Sequence, residues 1–266
     1  VIIGAAVDTI GTNFGQGSAY IFTRSNGIWT EQQKLFANDG AEYDSFGWSV
    51  ALSGDGNTAL IGVIGDSTGA IEYHGSAYIF TRAGTTWTKQ QKLVVNGGED
   101  FDIFGSAVDI SQNGLMMVVG APYDTVGINY QQGSAYIFAL DAGNWVQQAH
   151  LLAPDGAAED YFGDSVTLRN FGDGAIIGAP GVKVGGHDDQ GAAYVFTRLV
   201  LSWDQEIQYL IADDGEIGDA FGGSVAIDGN GGQGLIGAPN NDSVSDTDQG
   251  AAYIIELPVR SLPPGN

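Results

Sequence analysis

The chain has 266 residues, no cysteine, and 32 acidic against 9 Lys and Arg side chains, which gives a formal net charge of -23. The absence of cysteine excludes disulfides, thiolate metal sites and thiol nucleophiles. The charge argues against binding to nucleic acids or anionic membranes, and it makes cations and basic surfaces the natural partners. No apolar run is long enough for a membrane-spanning helix, so we expect no membrane insertion by this segment.

Short strands are predicted in a repeating order along the chain. The stretch GSAYIFTR at residue 17 recurs at 75 and, in variant form, at 133, 191 and 250, a period of 58 or 59 residues. One full repeat contains four predicted strands: A at 46–53, B at 58–63, C at 75–82 and D at 87–93. An Asp-Gly turn joins strands A and B, which is typical of a tight hairpin.

Polarity changes across the four strands in a way that predicts the fold. Strands B and C are nearly continuous apolar runs, as expected for strands buried on both faces. Strand D alternates and carries lysines, which is typical of an exposed sheet edge. The sequence therefore predicts an all-β fold, a β-propeller of four-stranded antiparallel blades. A motif present in every repeat is expected to serve packing rather than chemistry.

Five repeats are visible, of which the first and last are incomplete. We predict the propeller over 1–257, with repeats at about 1–45, 46–103, 104–161, 162–220 and 221–257, and a Pro-rich linker or tail at 258–266. The first repeat lacks strand A and the last lacks strand D, which leaves 18 predicted strands. A preceding segment of roughly 30 residues would supply both and close five blades, and two further blades would give seven.

The repeated Phe-Gly and Gly-Ala-Pro elements carry a family resemblance. Segments such as FGWSVALSGDGNTALIG (46–62), FGDSVTLRNFGDGAIIGAP (162–180) and FGGSVAIDGNGGQGLIGAP (221–239) resemble the FG-GAP repeat family, the blades of the integrin α-subunit propeller. The resemblance implies a propeller with a recognition or adhesion role. In that family the A–B hairpin often holds a calcium loop, but the turns here are too short and too poor in carboxylates to carry it over.

In such a fold, the B–C and D–A loops emerge on one face, and most acidic residues of this chain lie in these loops. The candidate ligand-binding residues are five acids of the B–C loops and one tryptophan: Trp48, Asp66, Glu72, Asp124, Asp188 and Asp189. Four other acids stand two residues before each Phe-Gly, and we expect them to cap turns by accepting backbone N–H groups. These are Asp44, Asp102, Asp160 and Asp219.

Two acidic segments have oxygen spacing that suits weak Ca²⁺ binding: ADDGEIGD at 212–219 and NNDSVSDTD at 240–248. The candidate ligands are Asp213, Asp214, Asp219, Asp242, Asp246 and Asp248. The alternative is that both segments are solvated loops.

No catalytic constellation is visible, so we interpret the chain as non-enzymatic. The three histidines fall in different repeats, and His74 replaces the glutamine of the other repeats, which favours loop packing. The expected function is an extracellular or cell-surface recognition or adhesion module that binds a protein, a glycan or a cation-bridged ligand on its acidic face. The alternative is a structural subunit of a surface layer or appendage, assembled from copies of itself. A polysaccharide hydrolase has the least support, because no pair of carboxylates is singled out.

If the two acidic segments bind calcium, calcium raises the unfolding midpoint, because a ligand that binds only the folded state stabilises it by about 2.7 kcal/mol at a hundredfold excess over its Kd. If both segments are solvated loops, the midpoint does not shift. The double substitution Asp242→Ala with Asp246→Ala should weaken this response and leave the fold intact. Thermal unfolding with excess calcium and with chelator, at fixed ionic strength, measures both effects. A calcium response unchanged in the double variant would contradict the assignment.

Overall fold

The computed structural model describes residues 1–95, 97–199, 202–205, 209–228, 231–242 and 249–257. Every regular element in these ranges is a β-strand, and no helix there is long and apolar enough to cross a membrane. The predicted tail at 258–266 lies outside the described residues. The prediction of an all-β fold is therefore confirmed for the part of the chain that the structure describes.

Within the described ranges, eighteen strands form five antiparallel sheets, which we number as blades 1 to 5. Blades 1 and 2 contain β1 (Ile2–Ala5), β2 (Ser18–Ser25) and β3 (Ile28–Leu35), then β4 (Phe46–Leu52), β5 (Thr58–Val63), β6 (Ser76–Ala83) and β7 (Thr86–Leu93). Blade 3 contains β8 (Val108–Ile110), β9 (Met116–Ala121), β10 (Ser134–Asp141) and β11 (Asn144–Leu151). Blades 4 and 5 contain β12 (Ser165–Leu168), β13 (Gly174–Ala179), β14 (Ala192–Arg198) and β15 (Trp203–Gln205), then β16 (Ser224–Ile227), β17 (Gln233–Ala238) and β18 (Ala251–Glu256).

Each blade is a meander in which strands pair in chain order. Blades 2, 3 and 4 have four strands, blade 1 has the equivalents of B, C and D, and blade 5 has those of A, B and C. This is the order that the polarity gradient predicted. Strand β5 is buried along almost its whole length, whereas β7 is largely exposed. Valine, isoleucine and aromatic residues in the middle strands suit this burial.

The core lies between neighbouring blades. Ile21 of blade 1 packs in one buried cluster with Phe46, Tyr78 and Phe80 of blade 2. The Phe46 ring meets those of Tyr78 and Phe80 edge-on, with centroids 5.5 and 6.1 Å apart. Ile79 belongs to the next cluster, at the blade 3 side. Because successive side chains of a strand point to opposite faces, one strand C packs its blade against both neighbours.

A pair of glycines sets the distance between blades. A Cβ built on Gly62 of strand B would overlap the carbonyl oxygen of Gly105, which belongs to the Phe-Gly of the next blade. The same overlap recurs at the three other junctions, for Gly4 with Gly47, Gly120 with Gly163 and Gly178 with Gly222. The obstacle is backbone, which cannot rotate away as a side chain can. Glycine is therefore required at these positions for steric reasons.

Gly120→Ala is expected to destabilise the fold by about 3 kcal/mol, because the added methyl group forces two backbones apart. Gly237→Ala is the matched control: it has the same place in its repeat, but its Cβ would come closest to the Ser224 hydroxyl, which can rotate. Urea unfolding of both variants tests the difference. Equal losses of stability would contradict the steric role of the glycine pair.

Candidate binding face

One face of the molecule is built from two sets of loops, which we call the loop face. It consists of the B–C loops (6–17, 64–75, 122–133 and 180–191) and the D–A loops (36–45, 94–107, 152–164 and 209–223). In blade 1, the N–H groups of Tyr43, Ser45 and Phe46 donate to the carbonyl oxygens of residues 14, 15 and 16 at 3.0, 3.0 and 2.8 Å. The same ladder recurs in the next three repeats. Each D–A loop is therefore held along the B–C loop of its own blade.

The D–A loops place ordinary residues in the left-handed region of backbone conformation. Tyr43 and Ser45 have φ of 65° and 60°, and Phe101 and Ile103 have φ of 70° and 50°. Each such residue costs on the order of 1 kcal/mol, which the hydrogen-bond ladder must offset. Strained residues of this kind cluster at functional surfaces. The result is a fixed loop conformation that turns side chains toward solvent.

Aromatic pairs cross the two loops at three successive repeats, and both rings are exposed in the first two pairs. Phe14 and Tyr43 meet edge-on at 5.7 Å, and they are 57% and 55% exposed. Tyr73 and Phe101 are stacked at 5.3 Å with 13° between their planes. In the third repeat, the ring centroids of Tyr123 and the half-buried Tyr161 lie 5.6 Å apart. Sequence reasoning missed these pairs, because their members come from loops that only the fold brings together.

The sequence-predicted candidates Asp66 and Asp124 are engaged inside the protein. Asp66 accepts a short hydrogen bond from the Ser76 hydroxyl and pairs with Lys92 at 2.6 Å, and it is buried. Asp124 accepts hydrogen bonds from Ser134 (2.5 Å) and Tyr136 (3.1 Å). The same constellation surrounds Asp8 in blade 1. These acids hold strand C to the start of the B–C loop.

These internal partners keep two of the carboxylates ionised. The hydrogen bond from Lys34, with those from Ser18 and Tyr20, lowers the pKa of Asp8 to about 2. Burial alone would raise the pKa of Asp124, but hydrogen bonds from His150, Ser134 and Tyr136 leave it below its ordinary value.

The other sequence-predicted ligand-binding residues lie at the surface. Glu72 is exposed, and Asp188 forms a surface ion pair with Lys183 at 2.6 Å. Asp189 is exposed and has φ of 54°. Trp48 lies in β4, just after Phe46-Gly47, and is 55% exposed. The fold thus presents all four of these side chains to solvent, without bringing them into one cluster.

The predicted turn caps are confirmed. Each of the four recurring aspartates accepts, through Oδ2, the backbone N–H three residues before it. The distances are 2.6 Å for Asp44, 2.7 Å for Asp102, 2.6 Å for Asp160 and 2.8 Å for Asp219. Asp219 also accepts a bond from the Asn241 side chain at 2.9 Å and is 1% exposed. Its proposed role as a calcium ligand competes with this capping role.

The remaining calcium candidates are only partly described. Asp213 and Asp214 are exposed, and Asp214 accepts a hydrogen bond from Tyr253 at 2.9 Å. Asp242 is exposed, while Asp246 and Asp248 lie outside the described residues. Within the described ranges, no three His, Asp or Glu side chains are grouped so as to hold a metal ion. Calcium binding stays a prediction from the sequence.

His74 is the least satisfied polar side chain of the loop face. Its ring is 1% exposed, and neither ring nitrogen has a hydrogen-bond partner among the described residues. At the same place in blade 1, Gln16 donates from Nε2 to the Ala37 carbonyl at 2.6 Å. Replacing this glutamine by histidine therefore removes a buried hydrogen bond and leaves a polar ring without a partner, which is costly.

Buried groups around His74 titrate abnormally. Burial lowers the pKa of His74, although the carboxylates of Asp66 and Asp124 act in the opposite direction. Burial raises the pKa of Asp102 to about 7, although the Glu99 N–H it accepts opposes the shift. The second Asp102 oxygen has no partner among the described residues. Both groups are thus favoured in their neutral forms in the folded protein.

A family model for the FG-GAP repeat matches residues 29–80, 87–138, 145–196 and 203–255, most of the chain. A search of curated proteins found no significant match. Among solved structures, the chain is similar to TolB from Acinetobacter baumannii, with 12% identity and a TM-score of 0.49. The match covers 96% of this chain and 52% of the TolB chain, so this chain spans about half the length of TolB. The repeat match over most of the chain, together with the five antiparallel sheets, confirms the predicted β-propeller fold class.

His74→Gln is expected to stabilise the protein by about 1 kcal/mol at pH 8, because the amide can donate to the Val95 carbonyl as its counterparts do. The gain should grow toward pH 5. Below the ordinary histidine value of 6.5, the unfolded chain binds a proton that buried His74 resists, and stability falls. Asp102 remains in both proteins, so its own pH dependence cancels in the difference.

Urea unfolding of His74→Gln and the parent chain at pH 8 and pH 5 measures the gain. Gln132→His is the matched control, since it creates the same deficit in the next repeat and should destabilise more at pH 5 than at pH 8. A gain that is equal at both pH values would show that His74 is not held neutral.

Proposed function

We propose that this chain, which belongs to the FG-GAP repeat family, is a non-catalytic recognition module that binds a protein or glycan on its loop face. We place it outside the cell or at the cell surface, and a bound cation is one means by which its carboxylates would bridge to a ligand. The observation that carries the proposal is the series of aromatic pairs at three successive repeats, of which the first two pairs have both rings exposed.

Exposed aromatic pairs are well suited to recognition. Tyrosine and phenylalanine provide large contact areas at low conformational cost, and their flat faces stack on sugar rings or side chains. Here the pairs are held by strained loops on a rigid scaffold, so little ordering is left for the binding step. Exposed carboxylates of Glu42, Glu72, Asp100 and Glu159 lie next to the rings in the same loops. Acids in such positions steer a basic partner toward the surface and reject an acidic one.

The polar groups that could serve catalysis are otherwise engaged. His150 pairs with Asp124 at 3.6 Å and stacks on Tyr136. His187 contacts the Gly215 carbonyl at 3.1 Å, and His74 is enclosed. None of the three is bonded to a serine hydroxyl within the ranges described. This supports recognition over hydrolysis.

A structural subunit is the second candidate, and a specific observation favours it. Ile3 and Trp29 of blade 1 are 52% and 51% exposed, while Ile61 and Trp87, their counterparts in blade 2, are buried against blade 1. Ile254 of blade 5 is 72% exposed. Either blades of a second copy or further blades of a longer chain would cover these faces. Sedimentation would report oligomers in the first case, and a monomer at tens of micromolar would contradict it.

The double substitution Tyr73→Asn with Phe101→Asn is expected to weaken ligand binding tenfold or more, because it removes the stacked pair at the centre of the series. Asparagine tolerates the left-handed conformation of both positions, so the loops should keep their shape. The readout is binding of the purified chain to arrays of defined glycans and of short peptides graded in net charge.

Phe171→Asn is the control, since Phe171 is 74% exposed in a hairpin at the opposite end of the sheets. It should leave binding unchanged. Either an equal loss in this control or an absence of any ligand on both arrays would contradict the proposed role of the loop face.

A further inference from the structure

The junction between blades 2 and 3 differs from the preceding junction at three positions near one carboxylate. Between blades 1 and 2 these positions hold Asp39, Lys89 and Lys92. One repeat later they hold Gly97, Gln147 and His150. The change removes one acidic and two basic side chains at once. The aspartate and the tyrosine beside them are retained: Asp66 and Tyr78 at the first junction correspond to Asp124 and Tyr136 at the second.

The preceding junction shows what the retained pair binds. Lys92 Nζ lies 2.6 Å from Asp66 Oδ2 and 5.1 Å from the centroid of the Tyr78 ring. Lys89 Nζ lies 5.4 Å from the same centroid and 3.3 Å from Asp39. An ammonium group is thus held by a carboxylate on one side and the face of an aromatic ring on the other.

Blade 1 repeats the arrangement independently. Lys34 Nζ lies 2.7 Å from Asp8 Oδ2 and 5.2 Å from the centroid of the Tyr20 ring. We call the space between such an aspartate and tyrosine a corner; the three corners are those of Asp8 with Tyr20, Asp66 with Tyr78, and Asp124 with Tyr136. The first two corners therefore hold an ammonium group of the chain itself. The corner is suited to that group because ring face and carboxylate both attract positive charge.

At the junction of blades 2 and 3, an imidazole ring takes the place of the lysine side chains and fills only part of the corner. The His150 ring stacks on Tyr136 at 4.4 Å with 5° between the planes, and its Nε2 lies 3.6 Å from Asp124 Oδ2. With Gln147 and Gly97 in place of lysine and aspartate, a cavity of about 520 Å³ remains. The volume is in the range of small-molecule sites.

The lining of this cavity favours a cation. Asp124 lines it with a carboxylate whose pKa lies below its ordinary value, because hydrogen bonds from His150 and its neighbours outweigh the effect of burial. The side chains of Ser134, Tyr136 and His150 all contact Oδ2 of that carboxylate, which leaves Oδ1 without a partner among the described residues. No lysine or arginine lines the cavity. An anionic guest would therefore be repelled.

A second polar group lies behind the cavity wall. Gly98 lines the cavity, and a Cβ built on it would overlap Nε2 of His74, whose ring nitrogens have no partner among the described residues. In blade 1, the same position holds a glutamine bonded within the loop. The junction that has lost its lysines has therefore also lost this internal bond, and an unpartnered buried polar group now stands next to the cavity.

We infer that this cavity binds a primary ammonium group, presented either by a free alkylamine or by a lysine side chain of a partner. The guest's ammonium would take the place that Lys89 and Lys92 fill one repeat earlier, against Asp124 and beside Tyr136 and His150. The alkyl chain would lie along the part of the cavity lined by Gly97 and Gln147. The inference stands on the cavity alone, so it and the proposed macromolecular recognition can fail separately.

Calorimetric titration of the full chain at fixed ionic strength tests it with n-butylammonium and with Nα-acetyl-lysine amide. Nε-acetyl-lysine amide is the neutral control, because acetylation removes the charge and keeps the chain length. The expected result is one binding site for both ammonium probes and none for the control. If the lysine amide binds more tightly than butylammonium, a partner's lysine is the source of the ammonium group. If butylammonium binds more tightly, the source is a free amine.

Two variants make the test specific. Gln147→Lys with His150→Lys fills the corner with ammonium groups of the chain, as in the preceding repeat, and should weaken binding tenfold or more. Lys89→Gln with Lys92→His opens the preceding corner and should raise the stoichiometry from one site toward two. Both exchanges use residues already found at these positions, and circular dichroism checks that each variant is folded.

Three results would overturn the inference. The first is the absence of heat from either ammonium probe at millimolar concentration. The second is an affinity of the Gln147→Lys, His150→Lys variant equal to that of the parent chain, which would show that the probes respond only to the overall negative charge. The third is binding of the acetylated control with the same affinity, which would exclude the charge as the recognised feature.

Discussion

Backbone contact between consecutive blades is the constraint on which the rest of this structure depends. Gly62 and Gly105 meet without side chains, and Gly75 and Phe104 pair as neighbouring extended segments. Because the contact is between backbones, it fixes where each Phe-Gly begins its blade and where the preceding D–A loop must end. Because the Phe-Gly is fixed at this contact, the side chain of Phe104 is placed in the core, where it is fully buried. The apolar clusters stabilise an arrangement whose spacing the glycines have already set.

The same constraint makes the loop face rigid enough to carry variable side chains. A D–A loop ends at a fixed Phe-Gly and is bonded along its own B–C loop, so its conformation does not depend on the identity of its outward residues. Phe101, Glu159 and Gly218 occupy equivalent places in three repeats. Such a surface can change its chemistry from repeat to repeat without altering the fold, which is how scaffolds with variable loops generate recognition.

Local patterns predicted the strands and the aspartate caps, because both depend on residues close in sequence. Asp44 caps a turn that begins three residues before it, so its spacing alone was informative. The partners of Asp66 could not be predicted in this way. Lys92 reaches it only because the register of β6 and β7 places Lys92 opposite Tyr78. A loop acid predicted to face a ligand therefore proved to be buried in the protein's own network.

Repetition supplies an internal reference for separating packing from function. Stability alone would favour filling the corner beside Asp124, since a lysine there gains both an ion pair and ring contact, as Lys34 does in blade 1. His150 keeps the ring contact with Tyr136, but its Nε2 lies 3.6 Å from Asp124, and the atoms that line the remaining cavity lack neighbours on that side. The exchange of Asp39, Lys89 and Lys92 for neutral residues also removes more positive than negative charge. The corner beside Asp124 thus becomes both emptier and more negative. Packing does not require these two changes, whereas attraction of an external cation requires both.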